Sequence, residues 1–117
     1  MKKIYYLGTC DTCKRILAAL QPLDGIALQD IKKDPLSAGQ LDELHALTGA
    51  YEPLFSKRAR LYRERGLQHK ALTEDDYRDL ILEHYTFLNR PVIVSGKDIF
   101  IGSSKNTVAA ARENLHP

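Results

Sequence analysis

Residues 3–20 read KIYYLGTCDTCKRILAAL. Lys3–Leu7 is short, rich in tyrosine and isoleucine, and ended by Gly8, which predicts a strand. From Cys10 onward Ile16, Leu17 and Leu20 recur at helical spacing until Pro22 stops the run. Ile26–Ile31 (IALQDI) alternates apolar and polar residues as a second strand does. Strand, helix, strand at this spacing is the βαβ unit of a parallel sheet. Both cysteines of the chain, Cys10 and Cys13, fall at the strand-to-helix turn of that unit.

The remainder continues the pattern. Ser37 opens a helix with Gln40 three residues on, a capping box, and Leu41, Leu44 and Leu47 give it an apolar face that Gly49 ends. YEPLFSKRARLYRERGL, residues 51–67, predicts a short helical turn and then a helix ended by Gly66. Thr73 with Asp76 caps another helix through His84, with Tyr77, Leu80 and Ile81 on its apolar side. RPVIVSGKDIFIG, residues 90–102, gives two short β-branched runs around a turn, a hairpin. Ser103 or Ser104 then caps a closing helix with Val108, Ala111 and Leu115 on one face. The expected architecture is α/β: βαβ, a helical insert at about 37–84, then ββα, in one domain over 1–117 with a four-stranded mixed sheet flanked by helices.

Bulk composition restricts the function. With 117 residues, 44% hydrophobic and 27% charged, the chain can bury one core. A formal net charge of +2 points to no nucleic-acid or membrane partner. No apolar run spans a bilayer, and MKKIYYLGTCDTC lacks an h-region and cleavage site, so the expected location is the cytoplasm. There a structural disulfide is rare, and a Cys-x-x-Cys is catalytic, redox-sensing or metal-binding. Zinc would need ligands from His45, His69, His84 and His116, none of which has a paired spacing.

The local chemistry favours a thiol nucleophile. A helix beginning near Cys10 aims its unsatisfied N–H groups and positive dipole end at that thiol, favouring the thiolate. Thr12 and Lys14 flank the site; Lys14 and Arg15 add positive charge, partly offset by Asp11. Cys13, one turn into the helix, is more enclosed and suits a resolving thiol. Among Lys57, Arg58, Arg60, Arg63 and Arg65, a solvated face is the ordinary reading, with Arg58 the candidate to turn toward the cysteines. No dinucleotide-binding loop is present.

TCDTCKR (9–15), FLNRPVIV (87–94), LFSKRARLYRERGL (54–67) and the GSSKNTV segment (102–108) together resemble the arsenate reductase (ArsC) family, which has a thioredoxin-like fold and includes the Spx regulators. The resemblance implies a cis Pro91 beside the cysteines and Arg90 near Cys10, where its planar fork would hold an oxyanion. It implies Cys10 as the nucleophile. Of the family's three arginines it matches Arg90, while Ser56 and Ser103 occupy the other two positions, which argues against efficient arsenate reduction. Arg58 or Arg60 would have to substitute. Cys13, which replaces a serine of the enteric-type reductases, resembles the Spx branch, whose members bind the C-terminal domain of the RNA polymerase α subunit around a glycine in the region of Gly49, in TGAYEPLF. Two functions follow as expectations. One is a thiol–disulfide oxidoreductase with Cys10, Cys13 and Arg90 catalytic, Arg58, Thr12, Lys14 and Pro91 contacting substrate, and glutathione, glutaredoxin or thioredoxin as electron donor. The other is a redox-switched regulator. A monomer with no bound cofactor, no metal and no direct nucleic-acid contact is expected in either case.

Overall fold

A computed structural model describes residues 1–117. It divides into two compact units, residues 1–34 with 90–117, and residues 35–89.

The first unit contains β1 (Lys2–Tyr6), α1 (Asp11–Ala19), β2 (Ala27–Asp30), β3 (Val92–Ser95), β4 (Asp98–Ile101) and α5 (Lys105–Leu115). The sheet order is β2-β1-β3-β4. β1 and β2 run parallel, with Ile4 opposite Leu28, and α1 is the crossover between them. β3 pairs antiparallel with both β1 and β4, so the sheet is mixed as the sequence predicts. Gly96, at φ 62°, makes the β3–β4 turn. Ile4 and Ile93 face each other across β1 and β3 and pack with Ile16, Leu20, Ala111 and Leu115 from the helical segments. Each buried leucine or isoleucine of that group contributes roughly 1.5–3 kcal/mol through removal of apolar area from water.

One strand departs from simple alternation. Leu28 is 45% exposed, whereas Gln29 is buried. β2 is an edge strand, and the Gln29 side-chain amide is satisfied by donating to the Asp34 carbonyl at 2.9 Å. A polar residue thus points inward at the edge and an apolar one outward. α1 also ends earlier than Pro22 requires, at Ala19, and the Gln21–Pro22 peptide is cis.

The second unit contains α2 (Ala38–Thr48), α3 (Arg60–Glu64) and α4 (Glu74–Glu83), joined by 3-10 turns at Glu52–Leu54, Leu67–His69 and Tyr85–Phe87. Both capping boxes form, Ser37 with Gln40 and Thr73 with Asp76. Gly49 ends α2 at φ 81°, a left-handed conformation that a side chain would strain. Phe55 is the aromatic centre: it stacks on Phe87 at 5.4 Å and contacts Tyr77 at 4.8 Å and Tyr62 at 5.8 Å. The Ser56 N–H donates to the Phe87 carbonyl, and the Asn89 N–H to that of Leu54. α3 is only 5 residues long, shorter than the apolar spacing suggests, and it has no capping side chain. The 3-10 turns after α3 and α4 carry no periodic signal in the sequence.

Candidate functional site

The site is built at the turn between β1 and α1. The Cys10 N–H donates to the Leu7 carbonyl at 3.0 Å, closing a tight turn over Gly8 and Thr9. A Cβ at Gly8 would run into the Asp30 carboxylate, which would have to move aside. Cys10 then takes the N-cap position in extended conformation, and its carbonyl accepts the first helical hydrogen bond from Lys14 at 3.1 Å. The sulfur therefore lies at the open end of α1. It forms no fully aligned capping hydrogen bond, but the amides of the first turn face it.

Both thiols are free; Cys10 is half-buried and Cys13 is completely buried. Their acidities diverge. Partial burial opposes the Cys10 thiolate, but the Cys13 N–H and thiol, the Thr12 N–H and the Arg90 charge outweigh it and lower the pKa. Burial pushes Cys13 the other way, to about 11. The Leu7 N–H eases that only in part, while the neighbouring Cys10 thiolate raises it further. Cys10 is thus the more acidic thiol of the pair, and Cys13 the one that keeps its proton.

Arg90 reaches this pair from the start of β3. The Arg90–Pro91 peptide is cis and Pro91 is fully buried. Arg90 is half-buried, and its charge acts on both sulfurs. Cys10, Thr12 through its backbone, Cys13 and Arg90 therefore converge. Lys14 is exposed on α1. Arg58 and Arg60 belong to the helical unit, where Arg58 is exposed in the turn before α3 and Arg60 is exposed as its first residue. Ser56 is half-buried in that unit, and Ser103 is half-buried in the first unit, just before the Ser104 cap of α5. Sequence reasoning missed the influence of the Leu7 backbone on Cys13, which no side-chain pattern announces.

The family model described as the ArsC family matches residues 5–111. This chain belongs to the ArsC family. Among curated relatives, the global transcriptional regulator Spx of Bacillus subtilis is 22% identical over 110 residues, covering 92% of this chain and 84% of Spx. The structure of the arsenate reductase from Vibrio cholerae superposes with a TM-score of 0.77 at 21% identity, over 94% of this chain and 96% of that one. The "possible arsenate reductase" of Streptococcus mutans UA159 gives 0.72 at 27% identity, over 90% and 92%. The mixed four-stranded sheet with flanking helices is the thioredoxin-like fold of ArsC proteins. No helix is long and apolar enough to cross a membrane.

Proposed function

We propose that this ArsC-family chain is a thiol–disulfide oxidoreductase of the cytoplasm. The observation that carries the reading is the placement of the two thiols, Cys10 half-buried at the N-cap of α1 and Cys13 fully buried one turn further on, which draws their acidities apart. The Cys10 thiolate attacks one sulfur of a substrate disulfide, and the other sulfur leaves as a thiolate. Cys13 then gives up its proton and attacks the Cys10 sulfur. This forms the Cys10–Cys13 disulfide and releases the second substrate thiol. Two electrons from glutathione, glutaredoxin or thioredoxin restore the dithiol. Arg90 holds an anionic substrate group beside Cys10, with Thr12 and Pro91 shaping the contact. Arsenate is a poor fit, since serines 56 and 103 stand where the family carries arginines.

The test uses a glutathione mixed disulfide. Cys13→Ser should trap glutathione on Cys10, while the wild type resolves it and forms an internal disulfide. No internal disulfide under mild oxidant, together with a Cys10 of ordinary acidity, would sink the reading. The likeness to Spx over 92% of this chain favours one second reading. In it the chain is a regulator that binds the carboxy-terminal domain of the RNA polymerase α chain and is switched by the same disulfide. A pull-down with that domain, oxidised against reduced, tests it.

A further inference from the structure

A groove of about 1000 Å³ runs along the cysteine-bearing unit between α1 and α5. The C-terminal ends of the two helices meet at one end of it, where the His116 ring nitrogen lies 2.7 Å from the Leu20 carbonyl. Arg15 lines it with Ser103 and Lys105 toward the other. Its floor is apolar, formed by Ile16 and Ala19 of α1 and Val108 and Ala109 of α5. Its rim is cationic, with Arg15, Lys105 and Arg112 set against the single carboxylate of Glu113. The ion pairs of the chain, Lys57–Glu52, Arg65–Glu83 and Arg78–Asp42, lie in the other unit and neutralise none of these rim charges.

We infer that this groove is a binding site for amphiphilic organic anions, small molecules with an apolar body and an acidic group. The volume is that of a small-molecule site, and such sites combine an apolar lining with a few polar groups that fix orientation. Burying the apolar body against the floor supplies most of the affinity. The rim cations select an acidic headgroup and disfavour a cation or a neutral polar head. Arg15 is five residues along α1 from Cys10, a rise of roughly 7–8 Å, so an occupant lies against the helix that carries the nucleophile. The assignment is independent of the redox reading, since it rests on the lining of the groove and not on either thiol.

The experiment is a titration of the full chain with 1-anilinonaphthalene-8-sulfonate, followed by fluorescence and by backbone amide shifts. Saturable binding is expected, with shifts concentrated in α1 and α5. Lys105→Glu with Arg112→Glu should weaken it about tenfold or more, while binding of uncharged N-phenyl-1-naphthylamine changes less than about twofold. Ala109→Trp, which fills the groove and keeps every charge, should weaken both probes. Ala109 is exposed, so that change leaves the core intact. Absence of saturable binding up to about 1 mM, shifts mapping elsewhere, or an affinity for the sulfonate indifferent to the charge reversal would overturn the assignment.

Discussion

Cys13, buried one turn into α1, and Cys10, at the helix N-cap, push each other's acidity in opposite directions: Cys13 favours the Cys10 thiolate, and the Cys10 charge holds the proton on Cys13. The pair shares its protons unequally. Alkylation of Cys10 by iodoacetamide should therefore follow a pH profile with its midpoint below the free-cysteine value of about 8.5. Cys13→Ala removes one donor but keeps the backbone N–H, so the midpoint should rise without reaching that value. The same pair gives stability a pH dependence. The raised Cys13 pKa contributes stability that is present below the unfolded value of about 8.5. That stability is lost as pH rises toward about 11. The lowered Cys10 pKa acts in the opposite sense: its contribution is present above the unfolded value and disappears as pH falls through the folded one. Urea melts between pH 8 and 11 should show the wild type losing roughly 1–3 kcal/mol relative to Cys13→Ala. Parallel stability curves for the two proteins would refute the assignment.

Arg90 separates charge from shape. Arg90→Met keeps much of the stem and removes the cation, so the Cys10 midpoint should rise. Arg90→Lys keeps the charge and should leave the midpoint nearly in place. It loses the planar fork, so KM for an anionic disulfide should increase several-fold, on the order of 1 kcal/mol, with kcat less affected. If both variants shift the midpoint alike, the charge of Arg90 is not what acts on Cys10.

How much was legible follows from how local each feature is. The βαβ start, both capping boxes and the hairpin were readable because a few neighbouring residues set each of them: Ser37 with Gln40, Thr73 with Asp76, and Gly96 at the turn. The place of Cys10 was readable for the same reason, since a cysteine at an N-cap is a property of one turn. Arg90 lies 80 residues from Cys10, and its placement came from the family resemblance rather than from any pattern. The outward Leu28 and inward Gln29 were hidden because sheet order, not alternation, decides which strand is the edge. The α1–α5 groove was equally hidden, since a helix's free face depends on what else packs beside it.

Gly8 tests how tightly the cysteine turn is packed. A Cβ at residue 8 meets the Asp30 carboxylate, whose other oxygen accepts from the Lys32 N–H at 3.1 Å. Gly8→Ala should cost about 1–2 kcal/mol and raise the Cys10 midpoint as the turn shifts. The clash is with the end of a side chain, so Asp30→Ala in the same chain should restore most of both. Failure of that second change to rescue would show that the backbone, not the carboxylate, fixes the turn.

Glu74 holds the loop after α2 from a distance in sequence. It is the first residue of α4, and its two carboxylate oxygens accept from the Tyr51 N–H at 2.6 Å and the Glu52 N–H at 3.1 Å. Those amides precede and open a 3-10 turn, where no helical carbonyl is available to them. Glu74→Ala frees both and should cost about 1–2 kcal/mol, with hydrogen exchange at Tyr51 and Glu52 accelerating about tenfold. Glu74→Gln keeps one acceptor and should fall between. Unchanged exchange at both amides would show that the turn holds itself. The loop carries Gly49, which the regulator reading places near the surface for the polymerase domain, so the variant also divides the two functions. Resolution of the Cys10 mixed disulfide should be unaltered in Glu74→Ala under the oxidoreductase reading, whereas binding to the polymerase domain should weaken under the regulator reading.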